Sequence, residues 1–233
     1  MARWGRAMRL LPSAAARVLD CGCAFGFMTA RLAKRHPEVC GIDMDAGYVT
    51  RARRRCPGAD IRQGSAASLP WRDGNFDAAV CLDVLEHCPH PEAAIAELAR
   101  VIGPGGTLVV SVPHSGLLAA ADSLNLYRRV LPGADAPTDD PSWVDKPHHR
   151  HFAVEELTDL LQPEFEVDTV RRTGLGIAEL VNLPLLVATR GVSRRLRWAY
   201  AALQYLYFAV YLLEDSVPMG RAAYHLMVRA RRR

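Results

Sequence analysis

Val18-Leu19-Asp20-Cys21-Gly22-Cys23-Ala24-Phe25-Gly26 is an apolar run that ends in an acid and then breaks into closely spaced glycines. A buried strand that runs through glycines into a helix brings its backbone close to a ligand at the helix N-terminus. A dinucleotide fingerprint starting at Gly22 would need further glycines at 24 and 27, where Ala24 and Phe27 stand, which argues against a nicotinamide cofactor. Working outward, Arg17–Asp20 reads as a first strand and Phe27–Arg35 as the helix after it. Glu38–Asp43 is a second strand, Ala46–Arg55 a second helix, and Asp60–Gln63 a third strand. Phe76–Leu82 is nearly all apolar, as a strand covered on both faces should be. Pro91–Val101 is a helix with proline in its first turn, stopped by Gly103-Pro104-Gly105-Gly106 before a strand at Thr107–Val112. This alternation predicts a parallel sheet with helices on both faces.

The second half keeps the rhythm only in part. Val154–Leu161 reads as a helix, and Phe165–Val170 and Tyr224–Arg229 as two more strands. Two long stretches, 113–151 and 174–218, are not needed by the sheet and are expected to be insertions of a single domain over 1–233. At 233 residues and 50% hydrophobic composition the chain can bury a full core and is not disordered. Its net charge of +4 and pI near 8.8 are too mild to argue for nucleic acid, and the basic residues do not form one long stripe along the sequence. Only Lys34 and Lys146 are lysines among 29 basic residues, a skew that reads as coding bias first. The start of the chain, with Arg3, Arg6, Arg9 and Arg17, has no export signal, so a cytoplasmic location and reduced cysteines are expected. The six cysteines match no zinc spacing and are expected to pack as small apolar residues, with no metal bound.

The glycine loop is followed, in order, by Gly41-Ile42-Asp43, Gly64-Ser65-Ala66, Leu69-Pro70-Trp71, Phe76-Asp77, Asp83-Val84-Leu85-Glu86-His87 and Gly103-Pro104-Gly105-Gly106. Over Arg17–His114 this series resembles the class I S-adenosylmethionine-dependent methyltransferases, in particular the subgroup of ubiquinone and menaquinone methyltransferases. Ala24 replaces the middle glycine of that family's Asp-x-Gly-x-Gly-x-Gly loop. The resemblance implies an α/β, Rossmann-like, doubly wound sheet of seven strands, mostly parallel with the last antiparallel. It implies helices on both faces and a helical insertion before the last strand. It further implies S-adenosylmethionine as cofactor, with Asp20, Gly22, Cys23, Ala24 and Gly26 along its methionine and ribose portion. Asp43 would take the ribose hydroxyls and Met44 would pack on adenine. Ser65 and Ala66 would lie at the adenine amino group, where the family usually has an aspartate, and Leu82 and Asp83 beside the sulfonium. Asp77 is expected instead to fix the start of a strand.

Methyl transfer is an in-line displacement, and an acceptor that carries a proton would want a base with a pKa near 7. His149 and His151, in His148-His149-Arg150-His151, and His114 at the end of the fifth strand are the candidates. One of them serving only to cap or staple the following helix is the plainer alternative. His87 is read as structural. With the first strand starting at Arg17, the cover of the acceptor is expected from the two insertions. Arg190, Arg194 and Arg197 precede an uncharged, tyrosine-rich stretch from Trp198 to Leu213, too short for the roughly 20 residues that span a bilayer. Residues 176–213 therefore read as an interfacial contact, a lid over a lipid-like or other small apolar acceptor, sheet cover, or a homodimer seam. The functions left open are a methyltransferase for a lipid, quinone, polyketide or other small acceptor, a non-catalytic cofactor-binding scaffold, and, more weakly, an oxidoreductase. No nucleic-acid partner is expected.

Overall fold

β1 (Arg17–Cys21) is the pivot of the sheet, because its neighbours on either side are β2 (Glu38–Asp43) and β4 (Phe76–Leu82), both parallel to it. The computed structural model describes residues 2–116, 119, 150–174 and 223–233. With β3 (Asp60–Gln63), β5 (Ile102–Pro113), β6 (Phe165–Thr173) and β7 (His225–Arg232), the seven strands stand in the order β3-β2-β1-β4-β5-β7-β6. The sheet is mostly parallel, with one antiparallel strand, the last, inserted between β5 and β6. Chain direction reverses its winding at β1, so a crevice opens beyond the carboxyl ends of β1 and β4, where open α/β sheets bind ligands. Register holds those ends level: Asp20 lies opposite Gly41 and Val80, and Cys21 opposite Ile42 and Cys81.

The helices are α1 (Ala2–Leu10), α2 (Phe27–Leu32), α3 (Ala46–Arg55), α4 (Pro91–Val101) and α5 (Val154–Leu161), with a 3-10 turn at Leu85–His87. Right-handed crossovers put α2 and α3 on one face and α4 on the other. β2, β3, β4, α3, α4 and α5 have the bounds the sequence predicts. Five elements differ, β1 only in running one residue further, to Cys21. α2 stops at Leu32 rather than Arg35, where the chain turns so that the buried His36 ring meets the Ala15 carbonyl at 2.8 Å. β5 begins at Ile102, pairing with Phe76 ahead of a register shift, so the Gly-Pro-Gly-Gly run is a strand irregularity rather than a separate stop. β6 and β7 each run about three residues past their expected ends.

α1 is the element the sequence reading lacks. Trp4, Ala7, Met8 and Leu11 recur at helical spacing, and Ala7 and Leu11 are buried beside Met28 and Leu32 of α2 and Val18, Ala78, Val80 and Val109 of the sheet. Each such buried valine, leucine or methionine side chain contributes roughly 1.5–3 kcal/mol, and each alanine less. Asp77 does fix a strand start: its Oδ2 accepts from the backbone N–H of Ala16 at 2.7 Å and of Arg17 at 2.9 Å.

The chain divides into two compact units. One, Trp4–Val112 with Val154–Val170 and Met227–Arg233, contains the parallel strands and the helices above. The other comprises Met1–Arg3, Pro113–Ala153 and Arg171–Leu226. Within it, the His114 N–H donates to the Tyr224 carbonyl at 2.7 Å, and the N–H groups of Phe152 and Ser115 pair with the carbonyls of Pro113 and Phe152. Most of 113–151 and 174–218, including the expected interfacial stretch 176–213, lies outside the described residues.

Candidate cofactor site

The glycine loop is held open by backbone conformation rather than by side chains. Gly22, Ala24 and Gly26 have φ of 79°, 44° and 76°, all in the left-handed region that L side chains rarely adopt. The N–H groups of Gly22 and Cys23 both donate to the Ile42 carbonyl, at 2.8 and 2.9 Å, which ties the loop to the end of β2. A Cβ on Gly22 would stand 2.2 Å from Cγ2 of Val84, and one on Gly26 would stand 3.0 Å from Ala52, so both glycines are required sterically as well. Gly26 then starts α2. The alanine at 24 is therefore more than a small substitute. It occupies a conformation that favours glycine.

Asp43 closes the arrangement at the end of β2. Its Oδ2 accepts from the Ala24 N–H at 2.9 Å and its Oδ1 from the Asp45 N–H at 3.0 Å, so two backbone donors fix the carboxylate plane. Each oxygen keeps a further lone pair for a ligand hydroxyl. Asp45 caps α3 by accepting from the Tyr48 N–H at 2.7 Å. Next to Asp43, the Met44 side chain is 73% exposed, an unusual position for a large apolar group. The Gly64 N–H donates to the Asp43 carbonyl, and Gln63 Nε2 to the Met44 carbonyl, which brings the end of β3 alongside. Ser65 is half-buried, its hydroxyl accepting from the Ala67 N–H at 3.2 Å, and Ala66 is buried. From β4, Leu82 packs on the core. Asp83 takes φ of 57° and receives the Ser111 hydroxyl at 3.2 Å, while its own N–H donates to the Ser111 carbonyl.

All eleven residues expected to hold a cofactor thus sit at the carboxyl ends of β1 to β4 in one compact unit. Asp20 has a partner the sequence does not announce. It is 2% exposed and accepts from Thr29 Oγ1 of α2 at 2.6 Å. Burial pushes its carboxyl from the ordinary 3.8 up to about 6, against the lowering effect of that hydrogen bond. Burial also pushes the Cys40 thiol up to about 11 and that of Cys23 higher still, so these thiols are poor nucleophiles and pack as apolar groups.

His114 is 8% exposed, with Nδ1 3.0 Å from the Phe152 carbonyl, and His151 lies edge-on to Tyr224 at 6.0 Å between centroids. Both belong to the second unit, and His149 lies outside the described residues. His87 is half-buried, 3.9 Å from the buried Glu86 carboxylate. Among the described residues no three His, Cys, Asp or Glu side chains group as metal ligands, and no helix is long and apolar enough to cross a membrane.

Residues 19–110 match the family described as "Methyltransferase domain". A protein of Mycolicibacterium smegmatis named a "probable S-adenosylmethionine-dependent methyltransferase" is 34% identical over 166 residues, 70% of this chain and 58% of that one. A trans-aconitate 2-methyltransferase of Methylobacterium nodulans is 41% identical over 123 residues, 51% of this chain and 45% of its own. The chain spans about half the length of the curated relatives it matches. Among solved structures, the N-methyltransferase NodS of Bradyrhizobium japonicum, in complex with S-adenosylhomocysteine, shares the fold with a TM-score of 0.59 at 16% identity, over 99% of this chain and 85% of that one. Glycine loop, strand order, the family match over residues 19–110 and the relatives agree on a class I S-adenosylmethionine-dependent methyltransferase domain in this chain.

Proposed function

We propose that the chain is an enzyme that moves a methyl group from S-adenosylmethionine to a small apolar or amphipathic acceptor by in-line displacement. The observation that carries this reading is Asp43, whose carboxylate is held by the N–H groups of Ala24 and Asp45 beside three alternate left-handed loop positions, 22, 24 and 26. The residues fit an adenosyl cofactor. A fixed carboxylate accepts two ribose hydroxyls, the exposed Met44 offers an apolar surface to adenine, and the loop lets backbone approach the methionine portion. Ser65 contributes a neutral hydroxyl where the family has an aspartate, so the adenine amino group meets a weaker acceptor. When bound, S-adenosylmethionine supplies an activated methyl on a sulfonium. The chain's task is then alignment, which supplies on the order of 7–11 kcal/mol. Leu82 and the strained Asp83 border the reacting end, and His149, His151 and His114 are the residues to take a proton from an acceptor that carries one.

The chain is read as one methyltransferase domain over 1–233, in which 113–151 and 174–218 choose the acceptor and cover it. The apolar and aromatic content of Trp198–Leu213 supports a lipid, quinone, polyketide or other natural-product acceptor. The same content fits peripheral membrane contact through 176–213, or a homodimer seam there, in a protein read as cytoplasmic. The protein is incubated with methyl-labelled S-adenosylmethionine and an extract of the producing cells, and the products are divided between organic and aqueous phases. Label in the organic phase that disappears with Asp43→Ala is the expected result. Label confined to the aqueous phase would overturn the apolar acceptor, and no transfer with bound cofactor would favour the scaffold.

A further inference from the structure

We propose that α1, α2 and α3 together form a docking face for an anionic lipid bilayer. This inference rests on the outer surface of these helices, which borders the glycine loop at Phe25 and Phe27, and does not depend on the acceptor. None of the three helices contains an acidic residue. α3 alone carries Arg51, Arg53, Arg54 and Arg55, all exposed, and exposed Lys34 and Arg35 follow α2. The stretches are separated in sequence, so no single basic run marks them. In the fold they are side by side. Ala7 and Leu11 pack with Met28 and Leu32, Arg35 donates to the Met8 carbonyl, and Arg55 donates to the Phe25 carbonyl.

The seam between the helices is aromatic. The Trp4 ring stacks on Phe27 at 5.9 Å, and the Arg55 guanidinium lies 3.6 Å from the Phe27 centroid. Phe25 meets Tyr48 at 4.5 Å, with Arg51 over it at 5.3 Å. Phe27 is 43% exposed, so an apolar ring reaches water in the middle of a cationic field. That combination is suited to a membrane interface, where arginines meet lipid phosphates and aromatic rings sit at headgroup depth. A nucleic acid would use the same charges. Its bases, however, would have to displace Trp4 and Arg55 to stack on Phe27.

The test uses the full chain and two variants, Arg9→Gln/Lys34→Gln/Arg54→Gln and Phe27→Gln, each checked for an unchanged melting temperature. Each is sedimented with vesicles of phosphatidylcholine alone and of phosphatidylcholine with about one third phosphatidylglycerol. The expected result is binding to the anionic vesicles only, weakened by salt. The triple variant should bind on the order of a hundred-fold more weakly, at about five-fold per charge removed. Phe27→Gln should bind more weakly with the salt dependence retained. Wild-type binding to both vesicles alike, or none to either, would overturn the proposal. So would undiminished binding by the triple variant, which would place any membrane contact elsewhere in the chain. Tighter binding to duplex DNA or RNA than to the anionic vesicles would replace the bilayer with a nucleic acid.

Discussion

Replacing Gly22 with alanine should destabilise the protein by about 2–5 kcal/mol, through two causes that can be separated. The first is backbone strain, since φ of 79° costs an L residue roughly 1–2 kcal/mol. The second is overlap, because the new Cβ would lie 2.2 Å from Val84 Cγ2, and overpacking of this kind costs roughly 1–3 kcal/mol. Shortening Val84 to alanine removes the second cause only, as the Val84 Cβ is itself at an ordinary 3.5 Å. Gly22→Ala should therefore cost about 1–2 kcal/mol in the Val84→Ala background, a coupling that a double-mutant cycle reads directly. Urea unfolding followed by far-UV circular dichroism and by tryptophan fluorescence gives each free energy, and coincident transitions establish that the comparison is two-state. A cost below about 0.5 kcal/mol in the wild type would refute the loop geometry, and an equal cost in both backgrounds would refute the role given to Val84.

Ala24 is strained in the opposite sense, so Ala24→Gly should relieve roughly 1–2 kcal/mol of left-handed strain and lose roughly 0.4–1 to unfolded-chain entropy. The expected net gain, about 0.5–1 kcal/mol in urea unfolding, would be contradicted by any destabilisation. Asp20 makes stability depend on pH with an unusual sign. Its carboxyl holds a proton up to about pH 6 in the folded state but releases it near 3.8 when unfolded, so raising the pH through that window favours the unfolded chain. At about 1.4 kcal/mol per unit, Asp20→Asn should gain about 3 kcal/mol relative to wild type between pH 4 and 6 and change little relative to it above. Parallel stability profiles of the two proteins across that window would show that Asp20 is not the titrating group.

The parts of this fold that the sequence discloses are those set by local chemistry. Glu38–Asp43 and Phe76–Leu82 are short, mostly apolar runs bounded by turn residues, and Ala46–Arg55 starts behind a capping aspartate, so each has one reading. The cofactor loop and Asp43 were legible for a related reason. Strand order places the carboxyl ends of β1, β2 and β4 together, and glycine at 22 and 26 is demanded by backbone angle and by Val84 and Ala52. What could not be read depends on distance in the chain. Arginines at 3, 6 and 9 mask the apolar spacing of Trp4, Ala7, Met8 and Leu11, and only the buried surface of α2 and the sheet makes α1 a helix with a core side. Thr29 becomes the partner of Asp20 only after the loop folds back on β1. The basic face is similarly dispersed over three stretches that only the crossovers bring together. For the histidines, residue type suggested chemistry, but nothing in their spacing says where they stand relative to a strand end.

The most direct test of the central claim is a calorimetric titration of S-adenosylhomocysteine into the wild type, Asp43→Asn and Asp43→Ala, with NAD as a second ligand. The wild type should bind S-adenosylhomocysteine at one site and leave NAD unbound. Asp43→Asn, which keeps the shape but loses the charge that both ribose hydroxyls donate to, should lose roughly 1.5–3 kcal/mol of binding, and Asp43→Ala at least as much. Unchanged affinity in both variants, or binding of NAD in place of S-adenosylhomocysteine, would contradict the assignment of this carboxylate and of the site built around it.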